Sequence, residues 1–169
     1  MSRGTICACR SLLAAGIVMT LPLAGCTGEP RATEAPASAT EREEIRQALE
    51  RYLPVLAEAY ASGNVELLRP YAVERVLAQV QKRVADLLAQ GLVAAPQFES
   101  LEIEELTTWG NDFAMVTTLE TWDVTYRSSG SGTVVSSRPG SRSRVRYQLK
   151  KVDERWTVFH RELKQELDE

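Results

Sequence analysis

FAMVTTLETWDVTY, residues 113–126, reads as one long β-strand and decides the fold class. Its apolar side moves from Phe113, Met115 and Leu119 to Trp122, Val124 and Tyr126, a change of phase that predicts a bulge near Glu120. Gly110-Asn111-Asp112 turns the chain just ahead of it. The strand before that turn spans about nine residues, carries Leu101 and Ile103, and ends near Trp109. Downstream, Ser128 to Gly140 is rich in Gly and Ser and reads as a long hairpin loop, with Thr133 to Ser136 a candidate extension of the strand. Ser143, Val145, Tyr147 and Leu149 then alternate with Arg142, Arg144, Arg146 and Lys150, which makes another strand. Asp153-Glu154 turns the chain, and Trp156 to Arg161 is the last strand. The charged tail from Glu162 to Glu169 is expected to fray.

Upstream of Gly91 the period is helical. Thr40 and Glu43 have capping-box spacing, and Ile45, Leu49, Tyr52, Leu56, Ala59 and Tyr60 form one apolar stripe behind them. Pro54 removes a backbone donor and should kink this helix. Ser62-Gly63 stops it, and Asn64 is placed to cap a short helix from Val65 to Arg69, which Pro70 redirects. A longer helix follows, with Val73, Val76, Leu77, Val80, Val84, Leu87 and Leu88 on one face and Gly91 as its stop. Helices first and an antiparallel meander after them predict an α+β fold, with the helices on one side of a curved sheet of about four strands.

The amino terminus carries a different message. Arg3 and Arg10 charge its front, Ser11 to Ala24 is mostly apolar, and Ala24-Gly25 are small enough for a peptidase cleft, as in a signal peptide. Leu23-Ala24-Gly25-Cys26 resembles the lipobox of bacterial lipoprotein precursors. That resemblance implies removal of residues 1–25 and acylation of Cys26, which would join the protein to a membrane through its lipid. Thr27 rather than Asp follows the cysteine, which in Gram-negative lipoproteins favours the outer membrane. Residues 26–40 read as the lipidated cysteine and a flexible tether rich in Ala, Pro, Thr and Glu. Residues 41–161 form one domain and residues 162–169 the tail.

Composition excludes several functions. The chain holds 20 basic and 23 acidic residues, and loss of the leader removes two of the arginines, so a general nucleic-acid binder is not expected. Cys7 and Cys9 lie in the leader and Cys26 is consumed by lipid, which leaves the domain no disulfide and no thiolate ligand. A single His completes the case against the usual zinc sets, and no cofactor is expected.

AYASGNVELLRPYA, followed by a helix ending at Gly91 and by WGNDFAMVTTLETWDVTY and VRYQLKKVDERWTVFH, resembles the NTF2-like superfamily. The strand wording A-x-V-x-T-x-E-x-W-D, then Y-x-L-x-K, then W-x-V, is similar to small domains of that shape in lipoproteins and in chloroplast-division proteins of the ARC type. The resemblance covers most of Glu41 to Arg161 and implies a conical cavity between the helices and the concave sheet face. The superfamily hosts enzymes and binding modules alike, so it transfers shape rather than activity.

Tyr52, Tyr60, Trp122, Tyr147, Trp156 and His160 are the candidate pocket residues, since rings with a polar tip suit a small apolar ligand or a protein partner. Asp123 reads as a solvated carboxylate paired with a cross-strand Arg, and no residue is assigned a catalytic role. Arg142, Arg144, Arg146 and Lys150 share one face of their strand; they are either a patch for an acidic partner or a solvated row paired with Glu120 and other cross-strand acids. The function expected is therefore a lipid-anchored, exported, non-catalytic binding module. The alternatives are an isomerase, dehydratase or hydrolase that uses the cavity with His160 and a carboxylate, and a structural envelope lipoprotein held in a homodimer.

Overall fold

The computed structural model describes residues 34–167, so the leader, Cys26 and the first part of the tether lie outside the described residues. The elements are β1 (Glu34–Pro36), α1 (Ala39–Ser62), a short 3-10 turn (Val65–Leu68), α2 (Glu74–Ala89), β2 (Leu92–Trp109), β3 (Phe113–Ser128), β4 (Val134–Val152) and β5 (Arg155–Leu167). The strands form one antiparallel meander in the order β1-β2-β3-β4-β5. The helices lie against one face of the curved sheet, and the core fills the space between. Ile45, Leu49, Leu53 and Leu56 of α1 and Val76, Val80 and Val84 of α2 meet Val116, Val145, Leu149 and Val158 of the sheet there. Each such side chain contributes about 1.5–3 kcal/mol by leaving water.

Several boundaries differ from the sequence reading, each for a local reason. The capping box forms two residues early: Glu41 N donates to Ser38 Oγ, and Ser38 N donates to Glu41 Oε2. Pro54 sits on the exposed face of α1, and the helix runs on through it. Asn64 precedes the 3-10 turn without a side-chain cap. Leu88 is 50% exposed and lies outside the buried stripe of α2. The last part of the tether is not all loose, because Glu34–Pro36 pairs with Trp109–Thr107.

The strands are longer than their patterns suggest. β2 starts directly after Gly91 rather than near Leu101, because the far half of β3 offers it a ladder as far as Leu92↔Ser128. Pro96 is tolerated in β2 because β1 covers only its other end, which leaves Pro96 at a sheet edge where a missing N–H breaks no bond. The expected 128–140 loop shortens to a tight turn, since β4 already begins at Val134. The tail is also strand: β5 continues to Leu167, which pairs with Arg142.

The sheet's faces also need correction. No phase change occurs at Glu120. Ala114, Val116, Thr118, Glu120 and Trp122 are all buried, so the even positions of β3 face the helices throughout. Phe113, Met115 and Leu119 are only half-buried, on the other face. The bulge is on β4: Pro139 and Gly140 together oppose Asp123, between the pairs Trp122↔Ser141 and Val124↔Arg138. Gly140 takes φ 65°, which suits glycine, and its N–H donates to Asp123 Oδ1 at 2.7 Å. Asp123 thus holds a bulge instead of pairing with an arginine.

Candidate functional site: the mouth of the cone

Glu120 is completely buried on the inner face of β3, where an isolated carboxylate would be very costly. Its cost is offset by the groups around it. Tyr147 Oη donates to Oε1, and Thr118 Oγ1 lies 3.2 Å from Oε1 and 3.2 Å from the Val145 carbonyl oxygen. Trp122 Nε1 donates to Oε2 at 3.0 Å, and Arg161 Nη2 donates to Oε2 at 3.3 Å. Arg161 Nε also donates to Tyr147 Oη at 3.1 Å, so the phenol accepts from one neighbour and donates to the other. Burial opposes the charge on Arg161, yet Tyr147, Glu120 and Tyr52 outweigh it and hold the guanidinium well above its ordinary range.

A second bulge, on β5, brings Arg161 there. Leu149 pairs with Val158 and Gln148 with His160, so Phe159 is the extra residue. Trp156 and Val158 face the core, and after the bulge His160 turns to the outer face opposite Gln148 while Arg161 turns in opposite Tyr147. His160 is therefore not a pocket residue, and the sequence reading that placed it with a carboxylate in the cone is corrected by this one-residue insertion.

Beside this network, at the open end of the cone, lies a cavity of about 220 Å³. Leu56 and Tyr60 of α1, Leu87 of α2, Ala94 and Pro96 of β2, and Trp122 and Val124 of β3 give it an apolar wall. Arg83, Arg138, Arg161 and Glu166 bring charge to it, and Ser141 and Ser143 bring hydroxyls. Two of the expected pocket residues, Tyr60 and Trp122, line this cavity. Tyr52 and Tyr147 are fully buried, with their rings edge-to-face at 6.3 Å. Trp156 is buried near Glu44, which accepts from its Nε1 at 3.2 Å, while Lys151 lies 5.2 Å from the ring centre. Sequence reasoning missed Glu120, Arg161, Arg83 and Arg138. The in-phase run A-x-V-x-T-x-E-x-W-D was the available signal for Glu120; no comparable signal existed for the arginines.

The basic row lies on the outer face. Arg144 makes a two-pronged pair with Glu104 of β2, at 2.6 and 2.9 Å, and also reaches Gln165. Glu104 is held below the usual carboxylate range by hydrogen bonding to Arg144. Glu120, expected as a partner for this row, faces the opposite way. Among the described residues no group of three or more His, Cys, Asp or Glu is arranged to hold a metal ion. None of their helices is long and apolar enough to cross a membrane.

The two buried tyrosines supply a pH prediction. Burial raises the phenols of Tyr52 and Tyr147 above the ordinary value. The unfolded chain then loses these protons first as pH rises past about 10, so stability is intact below that pH and falls above it. Tyr52 Oη has no hydrogen-bond partner among the described residues, whereas Tyr147 Oη has two. Tyr52→Phe should leave stability near pH 7 almost unchanged and soften the alkaline loss, while Tyr147→Phe should cost about 1–3 kcal/mol. Urea unfolding at pH 7 and pH 11 checks both; an equal cost for the two variants would contradict the hydrogen-bond assignment.

No family model matches the sequence, and no curated protein matches it. Solved structures do. The intermembrane space region of chloroplast protein ARC6 superposes with a TM-score of 0.58 at 15% identity, covering 76% of this chain and 98% of that one. An NTF2-like protein of unknown function from Shewanella oneidensis MR-1 aligns with a TM-score of 0.42 at 17% identity, over 72% of this chain and 97% of its own. A protein with a cystatin-like fold from Nostoc punctiforme PCC 73102 aligns at 0.41 and 14% identity, over 76% and 93%. With helices packed on one face of a curved antiparallel sheet, the described domain has an α+β fold, and it shares that fold with the intermembrane space region of ARC6.

Proposed function

We propose that this chain is an exported protein, anchored by lipid on Cys26, whose NTF2-like domain binds a small ligand in the mouth of the cone without transforming it. The observation that carries the non-catalytic part is the state of Glu120. A carboxylate accepts about four hydrogen bonds, and both oxygens of Glu120 are already engaged by Tyr147, Thr118, Trp122 and Arg161. A general base needs a free lone pair within reach of substrate; this carboxylate instead positions Trp122 and Arg161, which do line the cavity. Binding of anilinonaphthalene sulfonate to the native domain, at one site per chain, tests the cavity. Val124→Trp, which fills it from the β3 wall, should abolish that binding, and a wild-type domain that fails to bind the dye would remove the reading.

A second reading, a small-molecule isomerase, dehydratase or hydrolase, draws on the same inward-facing Glu120 beside the Tyr147 phenol. It requires Glu120→Gln to abolish turnover of a ligand that the variant still binds. The binding reading requires wild-type protein to return its ligand unchanged.

The anchor makes a separate prediction. The leader's charge, apolar run and small residues before Cys26 support it, and Thr27 supports the outer membrane of a Gram-negative host. Two or more acyl chains on one cysteine hold firmly where a single chain is marginal. Wild-type protein should take up labelled palmitate and sediment with membranes, while Cys26→Ser should do neither. Unlabelled wild-type protein in the soluble exported fraction would overturn the anchor and leave the cavity untouched.

A further inference from the structure

The charges around the cavity do not match the chain that carries them. The protein as a whole is acidic, at net −3, yet Arg83 from α2, Arg138 from β4 and Arg161 from β5 line one small space against a single carboxylate, Glu166. Arg161 is partly neutralised from behind by Glu120. The side chains of Arg83 and Arg138 make no ion pair or hydrogen bond with any described residue, whereas Arg46 and Arg69 pair with acids a few residues away and Arg144 reaches across the sheet to Glu104 of β2. Two exposed guanidinium groups left without an acid, beside a wall of Leu56, Pro96 and Trp122, make an amphipathic lining.

We propose that this cavity takes a small amphipathic carboxylate, its charged end held by Arg83 and Arg138 and its apolar body laid against Trp122 and the β2 wall. The inference rests on the small-ligand reading above and names the ligand's chemistry. A guanidinium presents its donors in a planar fork that matches a carboxylate's two oxygens, and such charge-assisted bonds are about twice as strong as neutral ones. An apolar alcohol of equal length gains the same wall contacts without that fork. Acetate gains the fork without the wall. At about 220 Å³ the cavity is smaller than the usual ligand pocket of roughly 300–1,000 Å³, which selects a short body over a long acyl chain.

The test titrates the folded protein with octanoate, octan-1-ol and acetate by calorimetry, in wild type and in Arg83→Gln/Arg138→Gln. Both arginines are exposed and unpaired, so the double variant should fold as the wild type does, which circular dichroism verifies. Octanoate should bind at least about tenfold more tightly than octan-1-ol or acetate, and less tightly as salt rises. The double variant should bring octanoate down to the level of octan-1-ol while leaving octan-1-ol unchanged. Equal wild-type affinities for octanoate and octan-1-ol, or octanoate affinity that survives the double substitution, would overturn the charged-end assignment and leave the small-ligand reading standing. Acetate as tight as octanoate would make the site a simple anion site and also overturn it. Binding of none of the three would remove both.

Discussion

Glu120→Ala is expected to lower the unfolding free energy by about 3–5 kcal/mol, the cost of breaking a buried ion pair from one side. The substitution leaves the Tyr147 hydroxyl and the Trp122 indole N–H without their acceptor and Arg161 without its counter-charge. Arg161 is 24% exposed and regains some water, which places the effect in the lower half of that range. Arg161→Met alone should also be destabilising, because it leaves the carboxylate with neutral donors only. The double variant Glu120→Leu/Arg161→Met should recover much of either loss, since replacing a buried pair by apolar groups of similar volume is often neutral. Denaturant unfolding of wild type, Glu120→Leu, Arg161→Met and the double variant gives the coupling, expected to exceed about 1 kcal/mol for groups in one network. Additive single effects would show that Glu120 and Arg161 do not act together.

Trp122→Ala should cost about 3–5 kcal/mol, as for a large aromatic removed from a core. Trp122 is 8% exposed, packs edge-on against Phe98 at 5.3 Å, and bonds Glu120 through its indole nitrogen. The same substitution widens the cavity and removes its aromatic wall, so dye binding should be lost together with stability. Trp156→Ala should cost a comparable amount, because that ring is 9% exposed, yet it should spare the cavity, which it does not line. Trp109, half-buried against Phe113 at 5.6 Å, gives the contrast: its replacement by alanine should cost no more than about 1–2 kcal/mol. A near-neutral Trp122→Ala would reverse the assignment of the sheet's faces.

Much of the fold is legible because it depends on local periodicity. The stripe Ile45, Leu49, Tyr52, Leu56 faces the core on α1, and the Val145, Tyr147, Leu149 alternation faces the core on β4. The basic row on the opposite face of β4 follows from the same alternation. Sequence periodicity misleads on β3, where it puts Phe113, Met115 and Leu119 on the apolar side and Glu120 among the acids of the outer face. Glu120 lies in phase with Ala114, Val116 and Trp122, but reading it as inward requires knowing that Tyr147, Trp122 and Arg161 meet it there. Those partners come from two other strands as well as its own.

Local periodicity places α1, α2 and the four long strands in order, with the turns at Gly63, Gly110 and Asp153-Glu154, because these follow from backbone geometry over a few neighbouring residues. The pairing of Glu34–Pro36 with β2, the tight turn after Ser128 and the strand that runs to Leu167 depend on partners distant in sequence. The tertiary structure alone decided that Arg161 and not His160 enters the cone, and that Arg83 and Arg138 reach the same cavity. The bulge at Phe159 inserts one residue between Val158 and His160 to keep β5 in register with β4, and one residue is enough to exchange the two faces of a strand. Register is a property of the paired strands, set by the summed ladder and packing across the sheet, and neither strand carries it alone.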